Sequence, residues 1–200
     1  MKNKKIFLFI IFALAILISF YFDSEIIKKI SLTKSDFLDD FFKVIVFLSK
    51  ATIVFLFLTL LFFCGKKKRK IFPLWATLAF SAIISFLLKI IVHRQRPFQS
   101  SITEILPVLM EKSYLAWNFS FPSFQSMMVF SVAPLISKEF PKIKNIWIIF
   151  ACFVALSRVY FGLHFLSDVI AGGLIGYLAG MIILKKEKFF DKIYDKIFRK

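Results

Sequence analysis

Long apolar runs constrain this chain more than any other feature. Runs of about 18 to 22 residues recur along it, and each is long enough to cross ~30 Å of hydrocarbon as a helix. Unpaired backbone polar groups are not tolerated in lipid, so we expect these runs to be helices packed as one bundle. Of the 200 residues, 59% are hydrophobic, which excludes an ordinary soluble domain. The sequence therefore predicts an all-α integral membrane protein with a single domain over residues 1–200.

The apolar pattern predicts six transmembrane helices. The first starts with a basic segment like that of a signal peptide, but its apolar stretch is long and no small-residue cleavage site precedes Asp23. We therefore expect an uncleaved anchor. The predicted spans are approximately 5–22, 42–64, 71–92, 121–137, 145–163 and 166–184.

The net charge of +16 points to membrane orientation rather than to nucleic acid, because the basic residues cluster next to apolar runs. Six spans put both termini on one side, together with most of the 28 Lys and Arg residues. The positive-inside rule makes that side cytoplasmic. The outer side then has two loops, about 23–41 and 93–120. Its few basic residues are Lys28, Lys29, Lys34, Arg94, Arg96 and Lys112.

The C-terminal segment 185–200 places apolar residues at helical intervals among lysines. This pattern predicts a cytoplasmic amphipathic helix on the inner leaflet. A solvated charged tail is the alternative.

Three short blocks, 89–97, 122–126 and 157–168, carry polar residues inside or at the edge of predicted spans. A charge at bilayer depth costs roughly 2.5–3.5 kcal/mol on insertion scales, so it needs a partner or a function. By the span count, all three blocks lie at the same outer membrane face. The blocks read Lys89-Ile-Ile-Val-His-Arg-Gln-Arg96-Pro97, Pro122-Ser-Phe-Gln-Ser126 and Ser157-Arg-Val-Tyr-Phe-Gly-Leu-His164-Phe-Leu-Ser-Asp168.

The order and spacing of these blocks resemble the signature of the type 2 phosphatidic acid phosphatase and vanadium haloperoxidase superfamily. That signature is Lys-x6-Arg-Pro, then Pro-Ser-Gly-His, then Ser-Arg-x5-His-x3-Asp. The first and third blocks match at every defining position, and eight or so specified positions are far less prone to chance agreement than a lone motif. The resemblance spans residues 89 to 168. It implies a phosphatidic acid phosphatase type 2-like bundle of six transmembrane helices that acts on lipid phosphates without a metal or other cofactor.

Residue chemistry assigns four of these positions to phosphate binding. Lys89, Arg96 and Arg158 supply positive charge for the phosphate oxygens, and the arginines can do so with bidentate forks. Ser123 opens a predicted helix, where its hydroxyl and the following backbone N–H groups suit an anion.

The resemblance implies the two catalytic roles in the third block. His164 would be the nucleophile that attacks phosphorus and forms a phosphohistidine intermediate. Asp168, the only acidic residue in a predicted span, would accept a hydrogen bond from the other imidazole nitrogen.

The second block departs from the family pattern, because Gln125 replaces the histidine that protonates the leaving oxygen and Phe124 replaces the glycine. A general acid typically contributes about 10²–10⁴ in rate. Three explanations stay open. The leaving group needs no proton, as with a polyprenyl diphosphate; His93 supplies the proton; or the chain is a weakened or inactive homologue.

The expected function is therefore a bacterial inner-membrane lipid phosphatase with its site facing the periplasm or exterior. Candidate substrates are polyprenyl diphosphate, phosphatidate, phosphatidylglycerophosphate and the phosphates of lipid A. A lipid phosphotransferase is a related alternative, and a non-catalytic lipid-phosphate binder is the alternative from another class. A vanadate-dependent oxidase fits less well, because such enzymes keep the missing histidine. The expected partners are the lipid substrate and the bilayer, with no nucleic acid, and the sequence leaves the oligomeric state open.

Overall fold

A computed structural model describes residues 2–100, 102 and 119–198 of the protein, with the backbone alone for 2–13 and 15–17. The described residues are all helical or irregular and contain no β-strand, so the all-α prediction is confirmed. Lys112 and most of the predicted loop 93–120 lie outside the described residues. The helices are α1 Lys2–Ser31, α2 Asp36–Leu48, α3 Ala51–Cys64, α4 Ile71–Val92, α5 Phe124–Ser131, α6 Ala133–Glu139, α7 Lys144–Tyr160, α8 Leu166–Lys185 and α9 Glu187–Phe198, with a 3₁₀ turn at Lys68–Lys70 before α4.

Two helical stretches in the described part of the chain are long and apolar enough to cross a membrane. They are Lys68–Val92 and Leu166–Lys185. The pair α2 and α3 passes the same test when taken together, although it bends by 62° at the break between them. Length and composition thus support two spans, or three with the bent pair, and the predicted number of six remains a prediction.

The first helix differs from its predicted bounds. We expected it to end at residue 22 and a loop to follow from 23 to 41, but α1 continues to Ser31. The extra turns stay helical because they bury an apolar face, with Ile27 packed against Val159, Phe165 and Val169. Consequently Asp23 lies within a helix and is buried, so Asp168 is not the only acidic residue inside an apolar helix.

Glycines bring α8 into close contact with α5. Gly172, Gly176 and Gly180 recur every fourth residue, and a Cβ added at any of them would overlap the α5 side of the contact. At Gly172 that atom would lie 2.6 Å from the carbonyl oxygen of Ser123. Small residues let helices approach closely in membranes. This contact holds the start of α5, which belongs to the second block, beside the start of α8, which belongs to the third.

Helix α9 packs against the end of the bundle that is opposite the starts of α5 and α8. Its acidic residues recur every fourth position and face basic residues of the 3₁₀ turn and of α6, while Tyr194 and Phe198 contact Phe72 of α4. Three of its apolar side chains, Phe189, Ile197 and Phe198, remain exposed. The ion pairs are Lys70 with Asp191 at 2.8 Å and with Glu187 at 3.6 Å, Arg69 with Asp195, and Lys138 with Glu187.

Candidate active site

A cavity of about 460 Å³ opens between α4, the start of α5 and the α7–α8 loop. One end is polar and the other is apolar, so the cavity suits a molecule with a charged head and an apolar tail. The polar end carries four of the seven predicted site residues, Lys89, Arg96, Gln125 and His164. The rest of the wall consists of Ala82, Ser85, Phe86 and Phe124.

Two of the predicted cations line the cavity directly. Lys89 is buried near the end of α4, and its ammonium donates a hydrogen bond to the backbone carbonyl of Phe119. Arg96 lies in the segment after α4, where its guanidinium donates to the carbonyl of Leu163 at 3.3 Å. Burial lowers the pKa of Arg96 to about 10, which still leaves the side chain charged at neutral pH. The polar end therefore presents positive charge to an anion.

His164 lies in the loop between α7 and α8 and is buried. Its Nδ1 is 2.7 Å from the backbone carbonyl oxygen of Ser120. A carbonyl can only accept, so Nδ1 carries the proton and Nε2 keeps its lone pair. Burial, with the nearby charge of Arg96, lowers the pKa of His164 to about 3. The imidazole is therefore neutral at physiological pH, as a nucleophile must be.

Asp168 holds a different set of partners from the expected one. Its Oδ2 lies 3.8 Å from Nδ1 of His164, which is near enough for charge attraction but longer than a hydrogen bond. The carboxylate instead accepts from Arg94 at 2.7 Å, from the Ser120 hydroxyl, and from the backbone N–H of Phe165 at 2.8 Å. Ser120 thus connects the two residues, because its hydroxyl binds Asp168 and its carbonyl binds His164.

Arg94 and Asp23 complete a buried ionic network behind His164. Arg94 donates to Asp168 and to Asp23, each at 2.7 Å, and stacks over the rings of Phe20 and Phe165. Asp23 in turn accepts a hydrogen bond from the backbone N–H of Ser167 at 3.1 Å. The network ties α1 and the segment after α4 to the first turn of α8.

The remaining two predicted site residues, Ser123 and Arg158, are buried and do not line the cavity. Ser123 is the residue before α5; its hydroxyl accepts from Ser126 at 3.1 Å and its N–H donates to the Asp168 carbonyl at 3.1 Å. The Arg158 guanidinium donates to the hydroxyl of Ser49, at the bend between α2 and α3. The backbone carbonyl of Arg158 also accepts from the His164 N–H at 3.2 Å.

The second block places its two unusual residues, Phe124 and Gln125, directly in the cavity wall. His93, the other possible proton donor, is elsewhere. It ends α4 with a left-handed backbone, its side chain is exposed, and its ring contacts Phe119 at 4.4 Å between centroids. His93 is thus not among the residues that line the cavity, and its role as the acid stays a prediction.

Sequence reasoning missed four residues that position the site: Asp23, Ser49, Arg94 and Ser120. Arg94 carried a usable signal, because it stands two residues before Arg96 in a block already identified. Asp23 also carried one, as an acidic residue next to a long apolar run.

Across the described ranges, no three His, Cys, Asp or Glu side chains cluster closely enough to hold a metal ion.

The fold and the site together define a helical membrane protein with a cationic cavity and a neutral histidine. Residues 70–190 match the PAP2 superfamily, so the chain belongs to that superfamily, and the family predicted from the three blocks is confirmed. Members of this superfamily are phosphatases that act on lipid phosphates.

Two curated proteins are similar over part of the chain. Phosphatidylglycerophosphatase B of Bacillus subtilis is 33% identical over 121 residues, which cover 55% of this chain and 52% of that protein. The bacitracin transport permease protein BcrC of Bacillus licheniformis is 36% identical over 64 residues, 32% of each. The matches thus span about half of the first relative and about a third of the second.

Two crystal structures share the fold. The structure of Aquifex aeolicus LpxE superposes with a TM-score of 0.64 and 30% identity, covering 80% of this chain and 93% of that one. A transmembrane PAP2 type phosphatidylglycerolphosphate phosphatase from Bacillus subtilis gives a TM-score of 0.69 and 23% identity, covering 90% and 95%. The second likeness is evidence for the fold alone.

Proposed function

We propose that this protein is a membrane lipid phosphatase that hydrolyses a lipid phosphate or diphosphate through a phosphohistidine. The observation that carries the proposal is a neutral His164 with a free Nε2 in the same cavity as Lys89 and Arg96. The PAP2 superfamily and the relative named phosphatidylglycerophosphatase B support the lipid substrate.

In the first step, Lys89 and Arg96 bind the equatorial oxygens of the phosphoryl group, and Nε2 of His164 attacks phosphorus. A P–N bond forms as the P–O bond to the leaving group breaks, and the electron pair leaves with that oxygen. The imidazole becomes cationic while Nδ1–H stays bonded to the Ser120 carbonyl. Asp168, at 3.8 Å, attracts the new positive charge. Water then attacks phosphorus, and a P–O bond forms as the P–N bond breaks. The electron pair returns to Nε2, which restores neutral His164, and the protons of the water leave with the phosphate.

Gln125 tilts the proposal toward a diphosphate substrate. An amide can hydrogen-bond the leaving oxygen but cannot give it a proton at neutral pH. A polyprenyl diphosphate would leave as a monophosphate, which needs protonation less than a simple alcohol does. Phosphatidate, phosphatidylglycerophosphate and lipid A phosphate would then be poorer substrates. The same departure also favours a second candidate, a lipid-phosphate binder without efficient turnover.

The test is phosphate release by the purified protein from a panel of lipid monophosphates and diphosphates. The parent should prefer the diphosphate, and His164→Ala should abolish release. Gln125→His should raise monophosphate hydrolysis by about 10²–10⁴. Activity that appears only in Gln125→His would establish the binder instead, and activity surviving His164→Ala would remove the nucleophile. Transfer to an added lipid alcohol, measured in the same assay, separates phosphotransfer from hydrolysis.

The membrane arrangement forms part of the proposal: six helices, both termini in the cytoplasm, and the cavity at the outer leaflet of a bacterial inner membrane. It is supported by the basic residues that flank the spans. A reporter enzyme that works only in the cytoplasm should be active when it is fused after residue 65 or residue 200. A reporter enzyme that works only outside the cytoplasm should be active when it is fused after residue 100. The reverse pattern would refute this orientation.

A further inference from the structure

One face of α4 carries a line of buried polar side chains at every fourth position, which ends at the cavity. In order they are Thr77, Ser81, Ser85 and Lys89, and all four are buried. Residues spaced by four lie above one another on a helix. A hydroxyl buried inside such a helix usually bonds to the carbonyl four residues earlier. Thr77 does so, donating to Pro73 at 2.8 Å.

Ser81 and Ser85 depart from this rule. Neither hydroxyl has a hydrogen-bond partner among the described residues. A buried polar group without a partner is costly and uncommon, so each one needs an explanation. The two serines differ in one respect: Ser85 lines the cavity, and Ser81 does not. Only Ser85 can therefore find its partner in a molecule bound there.

The position of Ser85 within the cavity indicates which part of a ligand it would meet. It stands one helical turn, about 6 Å along the axis, before Lys89. Ala82 and Phe86 flank it and make that end of the wall apolar. Ser85 thus lies at the junction between the cationic end, where the transferred phosphoryl group binds, and the end that suits a lipid tail.

We propose that Ser85 is a substrate-binding residue whose hydroxyl donates a hydrogen bond to an oxygen on the lipid side of the transferred phosphoryl group. This inference rests on the proposed function and adds a substrate requirement to it. The acceptor is either the second phosphate of a lipid diphosphate or the ester carbonyl of a glycerophospholipid. A prenyl monophosphate and an ether-linked phosphatidate have neither the second phosphate nor the ester carbonyl.

The test compares Ser85→Ala with the matched control Ser81→Ala, which removes the other unpartnered hydroxyl from the same helix face. The substrates are prenyl diphosphate, prenyl monophosphate, ester-linked phosphatidate and its ether-linked analogue. Each variant is assayed for kcat/KM, and the affinity for each lipid is measured in the His164→Ala background, where turnover does not consume the ligand.

The size of the loss identifies the acceptor. A hydrogen bond to a charged oxygen contributes about 1.5–3 kcal/mol. If Ser85 binds the second phosphate, Ser85→Ala should therefore lower the affinity for the diphosphate by about 10- to 150-fold. A neutral carbonyl predicts a loss of about 2- to 12-fold that is confined to the ester-linked phosphatidate. In either case the affinity for the prenyl monophosphate and for the ether-linked phosphatidate should change little. The Ser81→Ala control should change little in its affinity for all four lipids.

Equal losses on all four lipids, no loss on any, or an equal loss in Ser81→Ala would refute the role of Ser85. Failure of the proposed function looks different, because the parent would then release no phosphate from any lipid. The affinities in the His164→Ala background would still decide whether Ser85 contacts the ligand. Ser85→Cys keeps the side-chain size with a weaker donor, so its affinities should fall between those of Ser85 and Ser85→Ala.

Discussion

The two ends of α8 both carry ion pairs, but in different surroundings. At its N-terminal end, Arg94, whose side chain is 18% exposed, joins Asp23 and Asp168, whose side chains are 2% and 0% exposed. Beyond its C-terminal end, Arg69 pairs with Asp195, and these side chains are 40% and 38% exposed. Water screens both partners of the second pair, whereas the two carboxylates of the first network are shielded from it. The chemistry is the same, so burial decides which pair the fold depends on.

The largest expected effect is that of Arg94→Ala. Removing one partner of a buried network leaves the other charges uncompensated, so the free energy of unfolding should fall by about 3–5 kcal/mol. Denaturant unfolding in detergent micelles measures it, with Arg69→Ala as the exposed control. If the two variants lose the same free energy of unfolding, burial does not determine how much each set of ion pairs contributes to stability.

The pH dependence of stability should also belong to the buried end. The pKa of His164 is lowered from 6.5 to about 3 by folding, so below pH 6.5 the unfolded chain binds a proton that the folded chain does not. The contribution of His164 to the free energy of unfolding is fully present above pH 6.5, and it is lost as the pH is lowered toward 3. Between pH 6.5 and pH 5 the loss should be about 2 kcal/mol.

The measurement is the free energy of unfolding against pH for the parent and for His164→Gln. The glutamine cannot titrate, so the difference between the two curves isolates this residue. A parent curve parallel to that of His164→Gln over this interval would mean that His164 titrates normally in the folded protein.

A smaller effect is expected from Ser49→Ala, which removes the hydroxyl that accepts from the Arg158 guanidinium. Leaving a buried donor without its partner should cost about 1–3 kcal/mol. Ser31→Ala is a matched control, because that hydroxyl only bonds the Lys28 carbonyl at an exposed site. Equal stability of the two variants, measured by thermal unfolding, would show that Arg158 does not need Ser49.

The smallest effect is expected at the exposed end. Asp195→Asn removes the charge that Arg69 faces, and exposed pairs contribute about 0–1 kcal/mol. The effect should shrink further at 1 M salt, where the screening length is about 3 Å. Unfolding at low and high salt checks this, and a loss above 2 kcal/mol that persists in salt would contradict the comparison.

Local sequence patterns predicted the bounds of one long helix and four of the residues that line the cavity. A long apolar run predicted α4 as 71–92, the bounds that the structure has, because a helix is the way for such a run to satisfy its backbone in lipid. The fixed spacing of the blocks identified Lys89, Arg96, Gln125 and His164, which line one cavity.

Contacts between distant segments could not be predicted in the same way. Apolar composition did not show that α1 continues to Ser31, because that extension depends on Ile27 packing against α7 and α8. The pairing of Asp168 with Arg94, and of Arg94 with Asp23, likewise depends on three segments meeting.

The sequence by itself determined that this protein is helical and that it belongs in a membrane, since both depend on local composition. Its block spacing predicted which residues bind phosphate, and that assignment remains a prediction. Only the tertiary structure decided which partner each buried charge has and which nitrogen of His164 is free. Those outcomes depend on the close approach of α5 to α8, of α1 to α8, and of the Ser120 backbone to His164. Such approaches are set by the packing of the whole bundle, and no short stretch of sequence specifies them.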